Sequence, residues 1–336
     1  NRLPYPDFSD YFALTEKFPE ICGGDLLFAP NSLVLEGSRG CWWGEKHPCT
    51  FCGLNGHVRV FHEKTPERFA EEFRVMAETW PHVSFANLSD SILSVRHTKE
   101  LPALLRKELP RKIVIMTEIK SNLTEADMLR LSEGGIRSMQ PGIESLHDDV
   151  LRLMHKGNTG LNHIALLRLG RKYHVNIVWN FLHGFPGEPV QAYEEMERLV
   201  PLLYHLKPPN DFIFIRFHRS SVYCNDPEKY GLDLVPDQVY DFVRPDNDDY
   251  INGLAYVFQD RNGKKLPPVY DRMKKLVDEW VLQWKRGARE SCEMELFEDK
   301  VEIRDTRLCG TDIYHTLTGI KNAIYRRADV PVRRLD

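Results

Sequence analysis

Cys41, Cys49 and Cys52 stand in the segment Arg39-Gly-Cys-Trp-Trp-Gly-Glu-Lys-His-Pro-Cys-Thr-Phe-Cys-Gly-Leu-Asn-Gly56, directly after an apolar run with strand character. Two thiolates three positions apart can converge on one metal or cluster, and a third arriving from an eight-residue excursion completes a three-sulfur face with one coordination position unfilled. An open position suggests chemistry. The competing reading is a structural zinc knuckle at Cys49 and Cys52, with His47 or His57 as fourth ligand. Structural zinc usually draws on two paired knuckles, and the chain has no second Cys-x-x-Cys. A disulfide framework fits poorly, because the seven cysteines are an odd number, three crowd into one loop, and no secretory signal precedes them. The expected compartment is reducing.

Around this loop the chain has room for a substantial core. Its 336 residues and 42% apolar content suit one large α/β domain with an appendage. The 45 basic and 49 acidic residues nearly balance and are interspersed, which leaves no broad electrostatic footprint for nucleic acid or an anionic membrane. No apolar stretch has bilayer length. Cytoplasm is the simplest address, with no nucleic acid and no membrane among the expected partners. Arg2 to Asp10 has the proline-punctuated texture of a connector between domains.

The elements that must position the cysteines alternate in type. Ser32 to Glu36 reads as a buried strand feeding the cysteine loop, followed by a helix from Thr65 to Thr79 with Thr65 as N-cap and Pro66 at its first position. Strands are expected at 82–88, 112–119, 138–143, 176–182 and 211–216. Helices are expected at 124–131, 161–172 and 189–205. About six β/α units favour a parallel sheet, a barrel or an open doubly wound one, and in both ligands gather at the carboxyl ends of strands. Beyond Arg216 the pattern becomes irregular, with a helix at 269–285, a hairpin at 294–304 turning at 298–300, and a last helix at about 312–327. The division expected is a connector at 1–30, a barrel core at 31–216 and a separate C-terminal region at 217–336, whose hairpin and last helix read either as a winged-helix-like platform for a peptide or as a structural cap on the barrel.

This pattern resembles the radical S-adenosylmethionine (SAM) enzymes, which are partial (β/α) barrels with a cysteine loop after the first strand. The Cys-x7-Cys-x2-Cys spacing is similar, more narrowly, to the branch that matures ribosomally made, post-translationally modified peptides (RiPPs), whose relatives include cobalamin-dependent peptide C-methyltransferases. The likeness extends to Ser89-Asp-Ser-Ile-Leu93, Ile119-Lys-Ser-Asn-Leu123, Met139-Gln-Pro-Gly-Ile-Glu-Ser145, Gly184-Phe-Pro-Gly-Glu188, Arg216-Phe, Tyr230-Gly-Leu and Asp305-Thr-Arg307. It implies an α/β fold, a partial (β/α)6 TIM-like barrel with a smaller α+β C-terminal region. It also implies a 4Fe-4S cluster on Cys41, Cys49 and Cys52, SAM on the fourth iron, and the use of cobalamin. Relatives carry the cobalamin domain N-terminal to the barrel, and residues 1–30 could not form one. The implied partners are a precursor peptide and an electron donor such as flavodoxin or ferredoxin.

Residue roles follow from position in that pattern. Phe51 resembles the aromatic that lies against adenine, with core packing as its alternative. Asp90 is placed to accept from the SAM ammonium, or to cap a helix. Lys120, Gln140 and Glu144, at the ends of the third and fourth strands, fit the SAM carboxylate and ribose, or are solvated loop residues. Asn180 is polar within an apolar strand and needs a partner or ligand. Gly184 and Gly187 permit a tight turn, with Gly187 assigned to the SAM site. Trp42 and Trp43 wall the cluster or merely pack. Arg216, after four apolar residues, calls for an anion partner, and Tyr223 and Cys224 follow the last barrel strand where substrate could lie. Cys22, Cys292 and Cys309 have no ligand-like spacing and read as small buried hydrophobes.

Overall fold

The computed structural model describes residues 3–18, 32–54, 60–242, 248–263, 266–286, 291–307, 309–310 and 313–328. Cys22, His57 and residues 1–2 and 19–30 of the connector therefore lie outside the described residues. The chain divides into two compact units. The first comprises Asn1–His47, His57–Gly142 and Lys172–Val178, and the second Pro48–Gly56, Ile143–Arg171 and Trp179–Asp336.

In the first unit, α1 (Ser9–Lys17) precedes β1 (Ser32–Leu35), the short pair β2 (Ser38–Arg39) and β3 (His62–Glu63), and α2 (Pro66–Thr79). Then come β4 (Phe85–Leu88), α3 (Val95–Glu108), β5 (Val114–Glu118), α4 (Glu125–Glu133), β6 (Ile136–Gln140) and β7 (Asn176–Ile177). The strands form one parallel sheet in the order β1-β4-β5-β6-β7. Each inner strand, β4, β5 and β6, has one neighbour earlier and one later in the chain, the sequential order of β/α winding. Leu33, Leu35, Ala86, Ile115 and Met139 are buried in the sheet, and Phe69 and Phe73 of α2 pack with them into the apolar interior.

The helix starts follow local chemistry. Thr65 accepts from the Arg68 amide at 3.3 Å with Pro66 at the first position, and Thr124 forms a reciprocal capping box with Asp127. Two expectations are corrected. The strand expected at 82–88 begins only at Phe85, and α3 was not anticipated because Pro102 lies inside it. Ser94 caps α3 by accepting from the His97 amide at 2.9 Å, and Gly134, which has no side chain, leaves space for Pro102, which a Cβ there would meet at 2.5 Å.

The second unit contains α5 (Asp148–Leu153), α6 (Gly160–Lys172), β8 (Phe181–His183), α7 (Val190–Leu199), β9 (Phe212–Phe214), β10 (Phe217–His218) and α8 (Val222–Asn225). It continues with β11 (Leu234–Pro236), α9 (Asp248–Leu254), β12 (Val257–Asp260), α10 (Pro268–Lys285), β13 (Cys292–Leu296), β14 (Lys300–Asp305), β15 (Tyr314–Thr318) and α11 (Gly319–Arg327). β8 and β9 pair in parallel, β10-β12-β11 form an antiparallel sheet, and β13-β14-β15 form another. Trp280 of α10 is fully buried and donates to the Leu206 carbonyl at 3.0 Å.

Three expectations change here. The strand expected at 176–182 is two strands, β7 and β8, with Val178–Asn180 between them, because the Trp179 carbonyl accepts from Asn210 and its indole donates to Lys207. The helix expected at 189–205 is α-helical only to Leu199 and tightens to a 3-10 turn over Val200–Leu203, where Pro201 has no N–H to give. The last helix starts at Gly319, since Tyr314–Thr318 pairs with β14 as a strand. The hairpin is present, turning between Leu296 and Lys300. The result is the α/β partial barrel core of radical SAM type with a smaller mixed C-terminal region.

Candidate functional site

Cys41 belongs to the first unit, and Cys49 and Cys52 to the second. In the first unit β1 ends at Leu35 and the chain turns at once. Gly37 is required at this turn, because a Cβ there would meet the Phe69 ring at 2.3 Å. Asp90, only 1% exposed, accepts from the Gly37 amide at 2.7 Å and from the Ser38 hydroxyl at 2.8 Å. Both carboxylate oxygens are thus committed to the entrance of the cysteine loop, so Asp90 acts as a clamp on that loop. Burial lifts its pKa above the usual carboxylate range against the pull of those hydrogen bonds. Beyond the turn the Cys41 carbonyl accepts from Glu45 at 2.9 Å and its Sγ from the Gly44 amide at 3.3 Å. A sulfur that already accepts a backbone N–H is held in place and its negative charge is stabilised.

The tryptophans of the loop have defined places. Trp42 donates to the Leu93 carbonyl at 3.1 Å, and the Lys120 ammonium lies 3.8 Å from the centroid of the Trp43 ring. Lys120 is 8% exposed and lines a small cleft of about 80 Å³ with Trp42, Leu93 and Asp127. Gln140 ends β6, where its carbonyl accepts from the Ile119 amide at 3.0 Å and extends the sheet toward Lys120.

In the second unit the loop is anchored through Thr50, whose hydroxyl donates to the Leu153 carbonyl at 2.9 Å and whose amide donates to Met154 at 3.3 Å. The Cys52 amide donates to the Cys49 carbonyl at 3.2 Å, which closes the turn carrying these two thiols. Gly53 has no room for a side chain, as a Cβ would come within 2.3 Å of the Arg219 carbonyl. The Phe51 ring meets Phe185 edge-on at 5.7 Å between centroids. Glu144 has the positive φ of 55° and pairs with Lys156 at 3.3 Å. Lys156 was missed by sequence reasoning. Its ammonium lies 5.7 Å from the Phe51 centroid. Burial alone would lower its pKa, but Glu144 and the Cys49 and Cys52 sulfurs outweigh that and raise it. The signal was present in His155-Lys-Gly157, where two residues with positive φ flank the lysine at the end of a helix.

Gly184 and Gly187 both have positive φ, 92° and 81°, and frame a turn organised by Glu188. That carboxylate accepts from the Gly184 amide at 2.7 Å, from Tyr193 at 2.7 Å and from Tyr270. Burial and the adjacent carboxylate raise both phenol pKa values. Asn180 lies in the segment between β7 and β8 and is partly exposed, so it is not an interior polar group of a strand. Arg216 is exposed and carries no cost of burial, which removes the original reason for assigning it an anion. It lines an open groove of about 840 Å³ instead. Tyr223 is 1% exposed, donates its amide to the Thr50 carbonyl at 3.2 Å and packs on Phe217 and Tyr230. It supports the cysteine loop from behind, and burial pushes its pKa up to about 12. Burial likewise raises the Cys224 and Cys292 thiols, both partly exposed, while Cys309 is exposed.

Among the described residues no group of three or more His, Cys, Asp or Glu side chains is arranged to hold a single metal ion. A 4Fe-4S cluster makes a different demand, since each thiolate binds its own iron and the donors are all sulfur. The donor set of Cys41, Cys49 and Cys52 is all sulfur, as such a group requires; in the first unit Cys41 Sγ already accepts a backbone N–H, and in the second the Cys49 and Cys52 sulfurs help raise the pKa of Lys156.

Comparison with known proteins agrees in part. Residues 35–200 match the family described as the Radical SAM superfamily. No curated protein matches the chain. Among solved structures the chain is similar to the radical S-adenosylmethionine methyltransferase TsrM from Kitasatospora setae, at a TM-score of 0.48 and 15% identity over 58% of this chain and 38% of that one. It is also similar to the cobalamin-dependent S-adenosylmethionine radical enzyme OxsB, at a TM-score of 0.47 and 15% identity over 86% of this chain and 38% of that one. Methylornithine synthase PylB aligns at a TM-score of 0.40 and 14% identity over 64% of this chain and 61% of that one. The chain thus spans 38% of the length of the first two. Residues 35–200, which carry the cysteine loop and the parallel strands β4 to β7, are thus a region of radical SAM superfamily type.

Proposed function

We propose that this protein is a radical SAM enzyme that modifies a ribosomally synthesised precursor peptide, methylating an unactivated carbon. The observation that carries the radical SAM part is the Cys-x7-Cys-x2-Cys loop leaving the first strand of a parallel sheet, its entrance held by the buried Asp90 clamp. When bound, a 4Fe-4S cluster with SAM supplies one-electron cleavage to a 5′-deoxyadenosyl radical, and methylcobalamin supplies the methyl group.

The chain's residues bind and orient. Cys41, Cys49 and Cys52 hold three irons and leave the fourth for the amino and carboxylate groups of SAM. Phe51 offers an aromatic face beside Cys52, and Glu144, kept in place by Lys156, offers oxygens for the ribose hydroxyls. Lys120 and Gln140 present polar groups at the ends of β5 and β6, Asn180 does so before β8, and Gly187 gives open backbone in the Glu188 turn. Trp42 and Trp43 exclude water from the loop.

The peptide substrate, methylation and cobalamin rest on the resemblance of the cysteine spacing and the associated motifs. No described residue is assigned to hold cobalamin. A flavodoxin or ferredoxin is the proposed electron donor.

The test is anaerobic purification of the complete gene product, followed by iron and sulfide analysis and electron paramagnetic resonance. About four irons and four sulfides per chain are expected, with loss of the signal in each Cys→Ser variant. Stoichiometric zinc would remove the reading. With precursor peptide, SAM, reductant and hydroxocobalamin, methylated peptide is expected. Deoxyadenosine with only a cross-linked, epimerised or dehydrogenated peptide would refute methylation and favour a cobalamin-independent enzyme.

A further inference from the structure

Within the second unit the turn carrying Cys49 and Cys52 is seated on a wall made by the C-terminal part of the chain. Gly53 follows Cys52, and a Cβ built on it would come within 2.3 Å of the Arg219 carbonyl, 2.8 Å of the His218 Cβ and 3.1 Å of the Tyr256 hydroxyl. The turn therefore rests on the end of β10 and on the residue that precedes β12. Hydrogen bonds fix the backbone there. The Tyr256 carbonyl accepts from the Arg219 amide at 2.7 Å, the Tyr256 amide donates to the Tyr240 hydroxyl at 3.0 Å, and the Ala255 carbonyl accepts from Arg219 Nε at 2.6 Å. The Tyr256 ring lies against His218, with centroids 5.3 Å apart and planes 22° from parallel.

This frame holds the phenol without using its O–H. The hydroxyls of Tyr193 and Tyr270 donate to Glu188, and that of Tyr240 accepts from the Tyr256 and Val257 amides. Among the described residues the Tyr256 hydroxyl makes no hydrogen bond, and the residue is 41% exposed. Burial, and after it the Cys52 sulfur, raise its pKa. The group at the head of the ring is thus a protonated donor in the field of a cysteine that the cluster requires.

We infer that Tyr256 is a positioning residue for the iron-sulfur group held by Cys52: its hydroxyl donates to sulfur on that side and raises the reduction potential. This rests on the proposed cluster and names a side chain that tunes it. Reduction adds a negative charge to the group, and a donor directed at its sulfur favours the more negative state. One such bond is worth about three- to tenfold in the reduction equilibrium. Tenfold is about 59 mV for a single electron.

Redox titration of the anaerobically reconstituted full-length protein, followed by electron paramagnetic resonance without SAM or peptide, tests this. Tyr256→Phe keeps the ring and its stack on His218 and removes only the O–H. Its iron and sulfide content is expected to equal that of the native protein, while its reduction equilibrium shifts about three- to tenfold toward the oxidised form. Meta-fluorotyrosine at position 256, a stronger donor of nearly the same shape, should shift it the other way. Tyr314→Phe, at a position 75% exposed on β15, should leave it unchanged. Electron-nuclear double resonance after exchange into deuterium oxide should show an exchangeable proton coupled to the reduced group in the native protein and its loss in Tyr256→Phe. An unchanged or raised potential in Tyr256→Phe, an equal shift in Tyr314→Phe, or loss of iron from Tyr256→Phe would each overturn the inference. The two readings fail separately. Native protein that holds zinc or no iron refutes the cluster itself, whereas a full cluster whose potential ignores the hydroxyl refutes the role of Tyr256 alone.

Discussion

Replacing Asp90 separates the contribution of its charge from that of its shape. In the native protein its carboxylate holds the Gly37 amide at 2.7 Å and the Ser38 hydroxyl at 2.8 Å in a buried setting. Asp90→Ala leaves both donors bare, and each buried unsatisfied group costs about 1–3 kcal/mol, or about 2–6 kcal/mol together. Asp90→Asn keeps an acceptor for the Gly37 amide, and the Ser38 hydroxyl can rotate to accept from the new NH2. The loss is then about 1 kcal/mol, reduced further because no charge has to be buried. A pH signature follows. Burial raises the folded-state pKa of Asp90, so the folded form binds a proton that the unfolded form has released. Its relative contribution is full below the unfolded value and is lost as pH rises through the folded one. Urea titrations across that window should show stability falling with pH in the native protein, with a flatter dependence in Asp90→Asn. Cluster content after reconstitution should follow the order native, Asn, Ala. An Ala variant no less stable than Asn, with equal iron content, would refute the clamp.

Other outcomes follow from neighbouring geometry. Lys156→Met leaves Glu144 with no cation beside it and should cost about 2–3 kcal/mol in chemical denaturation, with Lys156→Arg retaining most of that. Gly184→Ala combines a φ of 92° with a Cβ 2.4 Å from Phe214, whereas Gly187→Ala has a φ of 81° and open space. The second should cost about 1–2 kcal/mol and the first clearly more, read as Tm by calorimetry. The Arg307 guanidinium, with both Asp305 oxygens within reach, holds the carboxyl down to about 2. A depressed carboxyl contributes stability above its unfolded pKa, near 4, that is lost as pH falls toward 2, and Arg307→Gln should abolish that part of the acid dependence.

The cysteine spacing, the order of the strands and the caps at Thr65 and Thr124 were legible because each depends on local chemistry alone. Helix α3 was not, since Pro102 argues against a helix until one sees that Gly134 makes room for it. The β7–β8 break was hidden because both pieces are apolar and only the bonding of Trp179 interrupts them. Asp90 and Tyr223 had plausible ligand positions in one dimension, yet both face inward to the loop they support. Lys156 gained its place from a salt bridge across twelve residues and from proximity to Phe51, neither of which periodicity reports.

The division of the chain bears on its biosynthesis. The first unit is interrupted after His47, resumes at His57 and needs Lys172–Val178 to add its final strand. A ribosome adding about 5–20 residues per second leaves an incomplete sheet waiting for about 1.5–6 seconds while residues 143–171 emerge. Cys41 and the Cys49–Cys52 turn are translated almost together, yet each is built into a different unit.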